Sequence, residues 1–300
     1  MKISVVVNTR NEADQLKGLL ETVSWAQEIV VVDMESTDDS KKVAKNFKAK
    51  VYSHKFLSFV EPARNFGIKK ATGDWILIMD PDERVSSSLA KKLKSLSKND
   101  DGITYVRVPR KNMIFGKWIK NSRFWPDYNI RFFKKDCVEW EDKIHSIPIT
   151  EGRGVDLEAN KDLAIIHNHY TSISQYILRM NRYTDIQAEE IFKKKEELLW
   201  TDFVRKPLAE FLSRFFAGKG YQDGIHGLVI SFLQAFSEFV VVIKLWEKQG
   251  FSKKPFSLVE LENLFSEMKK DLNYWVRSGL IDSSKNKAAS TCLRIKRKFF

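Results

Sequence analysis

Three carboxylates, Asp80, Asp82 and Glu83, crowd around Pro81 directly after the apolar run Trp75–Met79. The apolar run predicts a short buried strand, so the carboxylates stand at the lip of a core. Two chemistries place them there. Asp and Pro both favour turns, through side-chain bonding to the backbone and a fixed φ. A hard divalent cation also wants carboxylate oxygens converging from a fixed turn. A second acidic cluster follows another apolar run: Asp33 ends "EIVVVD", and Glu35, Asp38 and Asp39 come soon after. Taken singly, Asp33 also fits a turn and N-cap residue before the next helix. Asn8, Arg10 and Glu12 follow the first run, "ISVVV".

The elements that must position these groups alternate. "ISVVV", "EIVVVD", "KVYS", "WILIM" and "ITYVRV" read as strands, and between them lie segments with apolar residues at helical spacing. Strand–helix alternation over about 108 residues predicts a parallel, doubly wound α/β sheet. Ligands of such sheets bind outside the carboxyl ends of the strands, which is where the polar clusters fall. Residues 109–170 are aromatic-rich and predict further strands and loops on the same sheet, with Trp118, Phe124, Trp125, Tyr128 and Trp140 mostly in the core. His167 and His169 alternate along "IIHNHY" and so share a strand face. From residue 171 the pattern becomes helical. The expected division is a catalytic α/β domain over 1–170 and a helical region over 171–300. Residues 227–246 are strongly apolar but contain Gln234, Ser237 and Glu238, which favours a buried or interfacial helix over a spanning one.

The formal charge of +12 implies an anionic partner. No Gly-x-Gly-x-x-Gly follows the first strand and no Walker A sequence is present, which argues against a dinucleotide site and a P-loop. Phosphate must then be neutralised by a cation and by basic side chains. A nucleic-acid-binding protein would explain the charge but not the carboxylates at the strand ends, which repel phosphate unless a metal intervenes. Cys137 and Cys292 fit neither a disulfide framework nor a zinc spacing, as expected in a reducing cytosol.

The blocks "VVVNTRNE", "EIVVVDMESTDDS", "ARNFGIKKATGDW" and "MDPDERV", in that order, resemble the nucleotide-sugar-binding half of inverting family 2 glycosyltransferases with the GT-A fold. "FWPDYNIRFFKK", "KIHS", His169-Tyr170, Pro207 and "GKGYQDG" extend the resemblance to about residue 248. They point to the bacterial branch that builds lipopolysaccharide core and related surface glycans. The resemblance implies a UDP-hexose donor, a Mg²⁺ or Mn²⁺ ion, and a glycan or glycolipid acceptor. It assigns Asp80 and Asp82 to the ion and donor diphosphate, with His169 as the late metal-binding histidine. Asp33 would contact ribose or uracil, Asn8, Arg10 and Glu12 would lie near the base, and Arg64 and Asn65 would sit over the nucleotide. Inversion also needs a general base. "WED", Trp140-Glu141-Asp142, matches the wider superfamily's x-Glu-Asp element, which favours Asp142, with Glu141 and Asp127 as substitutes. The branch often carries His-Glu where this chain has His145-Ser146.

A polyprenyl-phosphate glycosyltransferase shares the donor half but usually places its acceptor beside spanning helices. The tail, residues 285–300, holds six basic residues and no acidic one, so it is either solvated or laid on an anionic membrane. The expected setting is therefore the cytoplasm, peripheral on the inner face of the plasma membrane, with no nucleic-acid partner.

Overall fold

The computed structural model describes residues 1–56, 61–99, 101–141, 148–284 and 294. These form two compact units, one of residues 1–113 and 125–169, the other of residues 114–124 and 170 onward.

In chain order, the first unit contains β1 (Ile3–Thr9), α1 (Ala13–Val23), β2 (Glu28–Asp33), α2 (Ser40–Asn46), β3 (Lys50–Ser53), α3 (Glu61–Lys70), β4 (Trp75–Met79), β5 (Glu83–Arg84), α4 (Ser87–Lys98) and β6 (Ile103–Ile114). The short β7 (Lys117–Trp118) belongs to the second unit. The first resumes with β8 (Asp127–Lys134), β9 (Val138–Glu139), β10 (Ile149–Thr150), β11 (Arg153–Asp156) and β12 (Ile165–Tyr170). The main sheet runs β3-β2-β1-β4-β8-β6-β12-β5, with β11 alongside β6. It is parallel from β3 to β4, as the alternation predicts. Beyond β4 it becomes mixed, because β8 pairs antiparallel with both β4 and β6.

β1 and β4 are buried along their whole lengths, as expected of interior strands covered on both faces. The period-2 alternation divides their side chains between two cores. Ile3, Val5 and Val7 pack with Leu16, Leu19 and Leu20 of α1 and with Leu89 and Leu93 of α4. Val6, Ile76 and Ile78 pack with Ala63 and Ile68 of α3. Gly67 sets how near α3 comes: a Cβ there would stand 2.6 Å from Val6 Cγ1 and 2.9 Å from Val32 Cγ2. At the amino end of the sheet, buried Glu28 accepts from Lys50 Nζ (2.7 Å), the Thr72 N–H (2.7 Å) and the Ser4 hydroxyl. Burial pushes its carboxyl up, but these donors prevail and bring it down to about 2.

The α-helices of the second unit are α5 (Ile173–Lys193), α6 (Asp202–Leu212), α7 (Ile225–Lys248) and α8 (Leu258–Ser283). Ile114, Ile119, Tyr170, Tyr176, Met180, Ile230 and Val240 make one of its cores. The "GKGYQDG" turn holds the segment 114–124. Asp223 accepts from the Asn121 N–H at 2.9 Å, and the Ser122 N–H donates to Gly218 O at 2.7 Å. Helix α7 is long and apolar enough to cross a membrane, and only 39% of its most apolar stretch is buried. Val240, Val241, Val242 and Leu245 are buried, whereas Phe232 and Phe236 are exposed.

Candidate active site

The carboxyl ends of β1, β2 and β4 lie side by side. Thr9 is in register with Asp33 and Val7 with Met79, so Asn8, Asp33 and Asp80 come to one edge of the sheet. Asn8, Thr9 and Asp33 are buried there. Asp33 Oδ2 accepts from the Ser36 N–H and pairs with Lys41 Nζ, each at 3.2 Å. Among the described residues, neither amide atom of Asn8, nor Thr9 Oγ1, nor Asp33 Oδ1 has a hydrogen-bond partner. Buried polar atoms left in that state each cost about 1–3 kcal/mol, so a cluster of them is a place where water or a ligand supplies the partner.

The loop after β1 is tied to the loop after β2. Asn11, in the left-handed region at φ 54°, accepts from the Thr37 N–H at 2.7 Å, and Asp38 accepts from the Ala13 N–H at 2.9 Å. These contacts place Arg10 over the Phe56 ring at 3.4 Å and set Glu12 at the start of α1.

The acidic lip after β4 is held by arginines. Asp80 Oδ1 accepts from Arg64 Nη2 at 3.0 Å and Oδ2 from Arg131 Nη2 at 2.6 Å. The same Arg131 nitrogen reaches Glu83 Oε1 at 2.6 Å. The turn closes reciprocally: the Glu83 N–H donates to Asp80 O and the Asp80 N–H to Glu83 Oε2, both at 2.9 Å. Burial would raise the Asp80 carboxyl, but Arg131 and Arg64 hold it well below the usual range. Burial raises Glu83, and the Asp80 charge adds to this against the opposing pull of Arg131. Arg131 is raised in turn, because Asp80 and Glu83 outweigh its burial. Arg131 and Glu83 stand in motifs visible in the sequence, "IRFFKK" and "MDPDERV", yet carry no expected role there. Their inward placement depends on β8 running antiparallel beside β4.

Asp82 faces the other way. Its carbonyl accepts from the Asn168 N–H of β12 at 2.8 Å, and its Oδ2 stands 3.6 Å from His167 Nε2. The rings of His167 and His169 stack at 4.6 Å, on one strand face as the alternation predicts. Among the described residues no three His, Cys, Asp or Glu side chains form a ready metal cage. A carboxylate beside imidazoles nevertheless suits Mn²⁺ or Mg²⁺, which often take few protein ligands and complete their shell with substrate phosphates and water.

Asn65 binds the Trp140 backbone. Its Nδ2 donates to Trp140 O at 2.6 Å and its Oδ1 accepts from the Trp140 N–H at 3.0 Å, so it fixes the backbone just before exposed Glu141. Asp142 and His145 lie outside the described residues. Asp127 is enclosed by donors: Arg110 Nη2 at 2.7 Å, Asn112 Nδ2 at 3.0 Å and Asn129 Nδ2 at 3.0 Å. Its carboxyl is lowered despite burial, chiefly by Arg110.

Residues 4–164 match the Glycosyl transferase family 2 domain, and the chain belongs to that family. It is a glycosyltransferase, and its parallel β3-β2-β1-β4 sheet with polar groups at the carboxyl ends is of the GT-A kind. The chain is 26% identical to an uncharacterised glycosyltransferase of Rickettsia conorii over 261 residues, 84% of this chain and 92% of that one. It is 21% identical to the lipopolysaccharide core biosynthesis glycosyltransferase LpsC of Rhizobium meliloti, over 85% of this chain and 96% of LpsC. Among solved structures, glucosyl-3-phosphoglycerate synthase of Mycobacterium tuberculosis, in complex with Mn²⁺ and UDP, matches with a TM-score of 0.33 and 22% identity. The match spans 36% of this chain and 44% of that one. That likeness is too slight to bear on this chain's substrates.

Proposed function

We propose that this glycosyltransferase is a divalent-cation-dependent, inverting enzyme that moves a hexose from a UDP-sugar to a glycan or glycolipid acceptor in lipopolysaccharide or surface-polysaccharide biosynthesis. The observation that carries the reading is the set of unsatisfied buried groups on Asn8, Thr9 and Asp33 at the carboxyl edge of the sheet. An amide offers a donor and an acceptor to a base edge, and a carboxylate accepts from ribose hydroxyls or an imide N–H. Arg10 and Glu12 border this place. Arg64 holds Asp80 at the end of β4 and would meet a donor phosphate there. Similarity to LpsC supports the acceptor class.

Asp82, a histidine of the stacked pair and Asp80 would hold Mg²⁺ or Mn²⁺. Bound there, the ion would offset the charge that develops on the departing nucleotide. Asp142 is the proposed general base, taking the acceptor hydroxyl proton during attack, and Glu141 is its first substitute. Asp127 serves this role less well, since its lowered carboxyl and surrounding donors leave little basicity. Exposed Phe232 and Phe236 on α7 and the basic tail support a peripheral site on the inner face of the plasma membrane.

The test is a panel of nucleoside-diphosphate sugars scored for nucleotide release with Mn²⁺, with Mg²⁺ and with EDTA, in the presence of core-oligosaccharide acceptors. Release from a UDP-hexose that needs both cation and acceptor supports the reading. Release confined to another nucleotide, or unchanged by EDTA, overturns the donor or the cation assignment respectively.

A further inference from the structure

His167 is held from behind by a chain of two buried contacts. Its Nδ1 lies 2.7 Å from Asn112 Oδ1, and Asn112 Nδ2 donates to Asp127 Oδ2 at 3.0 Å. The second contact settles the first. An ionised carboxylate only accepts, so the Asn112 amide must turn its NH₂ toward Asp127 and its oxygen toward His167. An oxygen facing Nδ1 requires the proton on Nδ1. In the neutral ring, Nε2 then carries a lone pair, and Nε2 is the atom that looks at Asp82 Oδ2 from 3.6 Å. That spacing is too long for a direct hydrogen bond. A divalent cation placed between them would draw on both lone pairs.

We propose that Asn112 and Asp127 are positioning residues, a carboxylate–amide pair that locks His167 in its Nδ1–H tautomer, so that His167 rather than His169 shares the divalent cation with Asp82. Metal-binding imidazoles commonly donate their far N–H to such a partner, which fixes ring angle and tautomer. The surroundings fit this. Asn112 and His167 are both buried, and Asp127 is braced in turn by Arg110 and Asn129. The His169 ring stacks on the face of the fixed ring. This assignment gives Asp127 work unrelated to proton abstraction. It rests on the proposed cation dependence and goes further, by naming which imidazole binds and what aims it.

The experiment measures Mn²⁺ binding to the full chain with UDP present, from the electron paramagnetic resonance signal of free Mn²⁺. Asn112→Leu should weaken binding about 10–100-fold, the range for loss of such an outer partner. His167→Gln should weaken it at least as much, and His169→Gln by less than about threefold on the same scale. The exchange Asn112→Asp with Asp127→Asn reverses amide and carboxylate but leaves an oxygen facing Nδ1, so it should restore most of the affinity. UDP affinity in EDTA, unchanged in each variant, shows that the fold survives; where Asn112→Leu fails that control, the exchange pair and the two histidine variants decide alone. In ¹⁵N-histidine spectra the signal lost in His167→Gln should show the Nδ1–H tautomer in the parent. Parent-like Mn²⁺ binding by Asn112→Leu, or loss on His169→Gln with none on His167→Gln, overturns the proposal. If those results accompany loss on Asp82→Asn, only this inference falls. If the parent itself binds no Mn²⁺ with UDP, the cation dependence falls with it.

Discussion

Replacing Arg131 with methionine puts the ion network under the acidic lip to a quantitative test. The Arg131 side chain is 4% exposed and its Nη2 lies 2.6 Å from both Asp80 and Glu83. Removal leaves the two carboxylates unequally served. Asp80 keeps Arg64 at 3.0 Å, whereas Glu83, fully buried, keeps only Arg110 at 3.7 Å as a cationic partner among the described residues. Most of the cost therefore falls on Glu83. Breaking a buried pair by deleting one partner costs about 3–5 kcal/mol, so Arg131→Met should destabilise the first unit by that amount. Glu83→Gln in the same chain should recover roughly 1–3 kcal/mol, the usual coupling within one network. The pH dependence has a definite sign. The Glu83 carboxyl is already raised by burial, and without Arg131 it rises further. A raised acid destabilises when ionised, so the deficit should grow as pH rises past the ordinary carboxylate range and shrink as pH falls. Native-state hydrogen exchange of the β4 and β8 amides reads this unit alone. A deficit under about 1 kcal/mol, or a double variant whose loss equals the sum of the singles, would refute the reasoning.

Glu28→Gln should cost about 2 kcal/mol at pH 7, a figure discounted because Lys50 is half exposed. The Glu28 carboxyl is lowered, so the parent's advantage is full above about pH 4.5 and should vanish toward pH 2 in the same exchange measurement. Asp142→Asn should lower kcat about a hundredfold or more and barely move donor KM, as loss of a general base does. If that variant turns over normally while Glu141→Gln is dead, the base is Glu141. Asp127→Asn should act through Mn²⁺ affinity rather than through kcat at saturating cation. Deleting residues 285–300 should spare turnover of a soluble acceptor yet weaken binding to anionic vesicles at low salt, since each basic residue near such a surface contributes about 1 kcal/mol. Unchanged vesicle sedimentation would make the tail merely solvated.

The strands and the edge that carries the polar groups were legible because buried parallel strands write themselves as apolar runs ending in polar residues. β1, β2 and β4 are such runs, and Asn8, Asp33, Asp80 and Asp82 are their punctuation. The turn from parallel to mixed pairing beyond β4 was not legible. No local pattern in residues 127–134 states that β8 runs against β4. The arginine network depends on that pairing, so Arg131 and Glu83 had motifs without roles. The Asn65 contact was not legible for a related reason: its neighbour Arg64 reaches the acidic lip, whereas one residue along the helix the Asn65 amide meets the Trp140 backbone. The choice between His167 and His169 lies below the resolution of alternation, which places both on one face. The contact proposed to separate them comes from Asn112, 55 positions away in the chain.

The central claim is that Asp82 holds a cation against the donor diphosphate. Calorimetric titration of UDP into the parent and into Asp82→Asn, each in Mn²⁺ and in EDTA, tests it directly. Binding should be tight only for the parent in Mn²⁺, with the two proteins alike and weak in EDTA. Equal UDP affinity for the two proteins in saturating Mn²⁺ would contradict it.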